Sequence, residues 1–208
     1  MKIQEIQLYK DLQTIDYSRD MADVIKGHGW DILGWGYEGV VAKHPTKPLA
    51  LKLFLSVSKY TNFVNLARRN PKNPHFPIFY KYVKTLKGTP WSYVISEVLT
   101  PVTEADLRTT FFSEICYLYI AAHGQNKTIS DTIMDVLNSV WGTTDLESEV
   151  DQDSLIDEAN KSDDKWKEAI DLVIGEAEHV LGISHIDLHE ENLMRRNNQL
   201  VIIDPFYN

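Results

Sequence analysis

Apolar residues in the first 29 positions recur mostly three or four apart, at Ile3, Ile6, Leu12 and Ile15 and then at Val24 and Ile25, ahead of Gly27 and Gly29. That spacing predicts a leading helix. The pattern then changes. WDILGWG, GVVAKH and PLALKLFL are short β-rich runs separated by Gly, or by Pro with polar residues, and predict three strands of an antiparallel meander. SKYTNFVNLARRN returns to the helical period, with Tyr60, Phe63, Val64 and Ala67 on one face, and stops at Asn70-Pro71. Phe76 to Val83 and Trp91 to Val98 read as two further strands joined through Lys84 to Pro90. Residues 30–100 are therefore expected to form a small lobe of five antiparallel strands and one helix.

Beyond residue 100 the pattern is mostly helical. Thr103 with Asp106 is a helix-start signature, and FFSEICYLYIAAHG continues as an apolar helix suited to the centre of a second lobe. Between Asp145 and Glu168 lie ten acidic and three basic residues, which make either a solvated helix face or a mobile acidic insert. Trp166, Ile170, Val173, Ile174, Ala177 and Leu181 keep helical spacing up to Gly182. GISHIDLHEENLMRRNNQLVIIDPF then predicts a polar loop, a short strand ending at Arg195 or Arg196, an Asn-Asn turn and an apolar strand. The whole chain reads as a single α+β domain, with residues 1–29 a leading helix, 30–100 the β-rich lobe and 101–208 a reduced, mostly helical lobe.

Composition narrows the function classes. With 208 residues, 43% apolar and 11% aromatic, the chain can bury a sizeable core. A net charge of -9 and the absence of any Lys/Arg-rich run argue against a nucleic-acid or anionic-membrane surface. No stretch has the length and apolarity of a spanning helix, and MKIQEIQLYKDLQ has no signal-peptide apolar centre, so a cytoplasmic protein is expected. The one cysteine, Cys116, sits inside an apolar helix pattern and is expected in the core.

Candidate chemistry begins with Gly34, Gly36, Gly39 and Val41, a GxGxxGxV between the first two predicted strands. Glycines there let backbone amides approach a polyphosphate, though a plain hairpin explains them equally well. A dinucleotide fingerprint would need a helix after the glycines, whereas this chain continues as strands. Lys52, in the next strand, lies on the face opposite Leu51 and Leu53, from which a lysine reaches nucleotide phosphates; most strand lysines are simply solvated. His185, Asp187, His189 and Asn192 follow in SHIDLHEEN, and Asp204 comes twelve residues after Asn192 in VIIDPF. Phosphoryl transfer needs a carboxylate beside the acceptor hydroxyl and oxygen ligands for Mg²⁺, and Asp187, Asn192 and Asp204 are such groups. Taken singly, Asp187 and Asn192 also suit loop capping, and Asp204 the end of a strand. Their order along the chain favours the joint reading.

In that order, GWGYEGVV, ALKLF, HIDLHEEN and IDPF resemble the glycine loop, strand lysine, catalytic loop and metal-binding Asp of the protein-kinase-like superfamily. The resemblance spans Gly34 to Phe206. It implies that Lys52 binds the α- and β-phosphates of ATP, that Asp187 orients or deprotonates the acceptor hydroxyl, and that Asn192 and Asp204 hold Mg²⁺. It also implies that Glu97 to Leu99 form the adenine-facing hinge. More narrowly, DLHxxN with IDP looks like the early serine/threonine protein kinases of short-tailed lytic bacteriophages. That likeness implies host proteins as substrates, including transcription and translation machinery, with autophosphorylation and a role in host shut-off. DLHxxN is also similar to aminoglycoside and choline kinases, so a small-molecule kinase, or a degenerate kinase module that grips a host protein, stands as an alternative.

The chain departs from the family pattern in several places. The helix from Ser58 to Arg69 contains no Asp or Glu to pair with Lys52. Glu38 stands where an aromatic often covers the loop, which leaves Tyr37 for that role. His189 occupies the place of a γ-phosphate lysine, where imidazole donates a hydrogen bond or serves only structure. Asp204-Pro205-Phe206 replaces the usual DFG element, and its proline disfavours an activation flip. The sequence stops two residues after Phe206 with no activation segment, so Thr103 to Glu168 is the expected surface for a substrate.

Overall fold

The computed structural model of the protein describes residues 3–15, 18–36, 39–57, 59–124, 131–142, 151–182, 186 and 190–206. The chain is mixed α and β and divides into two compact units, Met1–Arg68 with Ile78–Val98, and Arg69–Pro77 with Leu99–Asn208.

In the first unit the expected leading helix is two helices, α1 (Ile3–Leu12) and α2 (Ser18–Gly27). After Leu12 the backbone tightens, with the N–H groups of Gln13, Thr14 and Ile15 each bonding three residues back. The break has a packing reason. Leu8 and Leu12 from α1 join Met21 and Ile25 from α2 in one core, each at most 1% exposed, which one straight helix of that length cannot arrange. His28 closes the pair by a 2.8 Å contact to the Asp11 carboxylate.

Five strands follow: β1 (Asp31–Gly36), β2 (Gly39–Lys43), β3 (Leu49–Leu55), β4 (Lys84–Thr85) and β5 (Trp91–Glu97). They form one antiparallel sheet in the order β1-β2-β3-β5-β4. Val40, Ala42, Leu51, Leu53, Trp91 and Ile95 join α1 and α2 in the core. Between β3 and β4 runs α3 (Tyr60–Arg69), whose Tyr60 ring meets that of Phe54 at 4.9 Å. The strand expected at Phe76 to Val83 is not one. Phe79 alone bridges Ser96, flanked by Tyr80 N–H to Ile95 and Glu97 N–H to Ile78. Pro77 has no N–H to donate, and Ile78, Tyr80 and Tyr82 are exposed, so little buried surface holds the run in a ladder.

The second unit contains α4 (Glu104–Thr109), α5 (Phe112–Gly124), α6 (Asp131–Trp141), α7 (Gln152–Asn160) and α8 (Asp164–Glu176). Thr103 and Asp106 form the reciprocal capping box that the sequence predicts. Asp151 and Asp163 cap α7 and α8, while Asp153, Asp157, Asp164 and Glu168 face solvent. From residue 151 onward the acidic stretch is thus a solvated helix face; residues 145–150 lie outside the described residues. After α8 the helix widens into a π turn at Ala177–Leu181, and Gly182 ends it in the left-handed conformation at φ 63°. Cys116 is fully buried, and burial pushes its thiol up to about 12. Among the described residues no helix is long and apolar enough to cross a membrane.

A second sheet, β6 (Thr100–Pro101), β7 (Leu193–Arg196) and β8 (Gln199–Ile202), completes this unit. The Asn-Asn turn joins β7 to β8, with Asn197 at φ 54°, a conformation asparagine tolerates better than most residues. Residues 73–76 fasten the hairpin. His75 donates from Nδ1 to the Leu200 carbonyl at 2.6 Å, Ile202 N–H donates to the His75 carbonyl, and Arg196 donates to the carbonyls of Pro74 and Phe76. On the α8 side, Asn73 donates to the Lys165 carbonyl and the His75 ring meets Trp166 edge-on at 5.3 Å.

His75 is 2% exposed, and its Nε2 has no hydrogen-bond partner among the described residues. Burial pulls its pKa below the ordinary 6.5, despite the Leu200 carbonyl and Asp163 favouring the charged ring. The unfolded chain then takes up a proton before the folded one does. The stability this neutral imidazole contributes is full above about pH 6.5 and lost as pH falls towards the folded-state pKa. Denaturant midpoints measured from pH 7.5 to 5 should fall in the wild type and fall less steeply in His75→Gln; equal slopes would contradict the assignment.

Candidate functional site

In the strand-rich unit the antiparallel register aligns Gly34 with Val41, Val41 with Lys52 and Lys52 with Val94. Directly opposed residues point to the same face, so one row across four strands carries the first loop glycine, the valine of GxGxxGxV and the strand lysine. The row is opposite the face of Leu51 and Leu53, as alternation requires. A register shift between Ile32 and Gly34 brings Gly34 opposite Val41; without it Leu33, which is 54% exposed, would take that place. Among the described residues no helix directly follows the glycines, and β2 pairs back on β1 with Gly39 opposite Gly36.

The three loop glycines differ in what demands them. A Cβ on Gly39 would lie 1.9 Å from the Leu53 carbonyl oxygen, so β2 approaches β3 there as only glycine allows. Added Cβ atoms on Gly34 and Gly36 would meet nothing within 4 Å. Packing therefore explains Gly39 but neither of the others. Trp35, between them, is 61% exposed. Tyr37 and Glu38 lie outside the described residues.

Lys52 Nζ stands 3.7 Å above the centroid of the Tyr60 ring. The sequence marks Tyr60 only as part of an apolar helix face. The signal that it does more is an aromatic at the first position of the helix following the lysine strand. Glu97 is held inside its own unit: its carboxylate accepts from Ile78 N–H at 2.7 Å, its N–H donates to the Ile78 carbonyl, and its carbonyl accepts from the Ser96 hydroxyl. The proposed hinge residues Glu97 and Leu99 are both half-buried, and the chain leaves the strand-rich unit between Val98 and Leu99.

In the helical unit, Asn192 ends a 3₁₀ turn at Glu190–Asn192, immediately before β7. Asp204 lies just beyond β8. Leu193 pairs with Ile202, and Ile203 N–H donates to the Asn192 carbonyl at 2.9 Å, which brings Asn192 beside the residue that precedes Asp204. Ile186 bridges Phe206 in antiparallel fashion. Ile186 and Asn192 are thus both tied to the stretch Ile203–Phe206, which contains Asp204. Asp187, His189 and His185 lie between or beside Ile186 and Asn192 in sequence and outside the described residues. Arg195 reaches Asp106 at 3.0 Å; the Thr103 backbone, then its hydroxyl, and more weakly Arg195 hold that carboxyl below its ordinary value.

Asn192 and Asp204 offer an amide oxygen and a carboxylate, hard donors that suit Mg²⁺, which commonly takes one or two protein oxygens and fills its sphere with phosphate and water. Among the described residues no three His, Cys, Asp or Glu side chains converge. Comparison with protein-family models and with characterised proteins finds no match to this chain.

The glycine contacts predict unequal costs. Gly39→Ala should lower the denaturant-derived stability by roughly 1–3 kcal/mol, the usual range for overpacking, while Gly34→Ala and Gly36→Ala should cost less. Equal losses at the three positions would contradict the close approach of β2 to β3.

Proposed function

We propose that the protein is an ATP- and Mg²⁺-dependent serine/threonine protein kinase, of the type made early by lytic bacteriophages and acting on host proteins. The observation that carries this reading is the tethering of Ile186 and Asn192 to the stretch that contains Asp204, through the Ile186–Phe206 bridge and the Ile203–Asn192 hydrogen bond. That arrangement joins Ile186 and Asn192 to the residues on either side of Asp204, which supports a reading in which the HxDxxxxN motif and the later Asp serve one phosphoryl-transfer centre. The row joining Gly34, Val41 and Lys52 supports it independently in the other unit.

Each residue then has a chemical task. Lys52 offers its ammonium to the α- and β-phosphates, and the space beside Gly34 and Gly36, where an added Cβ would meet nothing within 4 Å, leaves room for a phosphate. Asn192 and Asp204 hold the metal through oxygen. When bound, Mg²⁺ neutralises charge on the β- and γ-phosphates. Asp187 accepts the proton of the acceptor hydroxyl as that oxygen bonds to the γ-phosphorus; the bond from phosphorus to the β,γ-bridging oxygen breaks, and ADP leaves. The solvated acidic face from Asp151 to Glu168 is suited to drawing basic substrates.

Incubating the protein with Mg²⁺, bacterial lysate and ATP labelled at the γ position should place label on proteins. Asp187→Ala and Asp204→Asn should each lower that label by about 10²-fold or more, as removal of a catalytic or metal-binding group does. Label transferred instead from α-labelled ATP would make the protein an adenylyl transferase. Label recovered only on small molecules would favour a metabolite or antibiotic acceptor, and no label in any fraction would overturn phosphoryl transfer altogether.

A further inference from the structure

Lys52 is placed by an aromatic ring whose own position is fixed. Tyr60, the first residue of α3, is 5% exposed. Its ring meets Phe54 at 4.9 Å and Phe79 at 6.4 Å, both edge-on, and Phe63 at 5.9 Å in a tilted contact. Phe63 and Phe79 also meet each other edge-on at 6.2 Å. Three aromatic neighbours, drawn from β3, from α3 itself and from the segment along β5, leave the Tyr60 ring little freedom to turn. Its face is directed at Lys52 Nζ, 3.7 Å from the centroid.

An ammonium over the face of an aromatic ring is attracted by the ring quadrupole, more strongly where water is excluded. A lysine side chain otherwise samples many rotamers, and ordering it costs entropy that weakens any phosphate contact it makes. Along β3, Phe54 packs on the ring that receives the lysine two residues earlier, so strand and helix build the contact together. The helix itself contributes no carboxylate, since none of the ten residues of α3 is Asp or Glu.

We propose that Tyr60 is the positioning residue for Lys52: the clamped ring holds the ammonium, through its π face, in the orientation that receives nucleotide phosphates. This rests on the nucleotide-binding reading above and adds to it the group on α3 that orders the lysine. The hydroxyl is not needed for that task. Tyr60→Phe keeps the ring and should behave as wild type, whereas Tyr60→Leu keeps an apolar side chain and loses the π face.

The test is a double-mutant cycle on the intact chain, measuring the affinity for Mg²⁺-ATP by calorimetry in wild type, Tyr60→Phe, Tyr60→Leu, Lys52→Met and the Lys52→Met/Tyr60→Leu pair. Tyr60→Phe should bind within about twofold of wild type, and Tyr60→Leu about 5- to 30-fold more weakly, the range a desolvated cation–π contact supports. In the Lys52→Met background, Tyr60→Leu should change affinity by less than about twofold, because the lysine it orders is gone. Equal weakening in both backgrounds would make Tyr60 a packing residue only and overturn the inference, as would a Tyr60→Leu variant that binds like wild type. Either result would leave the kinase reading standing, since wild type would still bind. A wild-type protein that does not bind Mg²⁺-ATP would overturn the kinase reading, and the positioning role with it. Lys52 ε-methylene protons shifted upfield in wild type and Tyr60→Phe, but not in Tyr60→Leu, should accompany the affinity changes as the ring-current mark of the contact.

Discussion

The hydrogen bond from Ile203 N–H to the Asn192 carbonyl ties the start of the last hairpin to the stretch that carries Asp204. It continues the β7–β8 ladder by one step beyond Leu193 and Ile202, and it brings Asn192 next to the residue that precedes Asp204. Side chains alternate along a strand, so a slip of one residue would turn the buried Leu193 and Ile202 to the opposite face and take Asn192 away from Ile203. The register is therefore under tight constraint. Three features hold it: the two-residue turn with Asn197 at positive φ, the burial of Leu193, Leu200, Val201 and Ile202, and the clamp from residues 73–76. The clamp comes from a distant part of the chain, so the hairpin is held by tertiary bonds as well as by its own turn.

The strand-rich unit follows a different logic. β3 lies at the middle of its sheet and is covered on both faces, with Leu51 and Leu53 in the core beneath α1 and α2 and Phe54 against Tyr60. A lysine within such a strand must emerge beside apolar neighbours, here Val41 and Val94 in its row. The aromatic cluster around Tyr60 gives that lysine an ordered ring face to lie against. Gly39 serves the same strand, since its missing side chain lets β2 close on Leu53.

Much of this was legible in the sequence because it rests on local rules. The short β-rich runs located β1, β2, β3 and β5, the Thr103–Asp106 signature located the start of α4, though the helix expected to continue from it is broken into α4 and α5, and the Asn-Asn turn located the last hairpin. What escaped depends on distant packing. The split of α1 from α2 comes from the shared core of Leu8, Leu12, Met21 and Ile25, which the helical period cannot reveal. The run from Phe76 to Val83 had strand-like residues but leaves Ile78, Tyr80 and Tyr82 largely exposed. Lys52, Val41 and the two metal-site candidates were identified by motif and order. The contact between Lys52 and Tyr60 was not, because it is made between side chains across the turn from β3 to α3.

The proposed phosphoryl transfer requires Asn192 and Asp204 to hold a divalent cation together with ATP. The most direct measurement replaces Mg²⁺ with paramagnetic Mn²⁺ and follows backbone amide signals by NMR in the presence of a non-hydrolysable ATP analogue. The amides of Asn192, Leu193, Ile203 and Asp204 should broaden in the wild type and stay sharp in Asp204→Ala. Broadening confined to the acidic face between Asp151 and Glu168, or no site-specific broadening at all, would contradict the assignment of the metal pair.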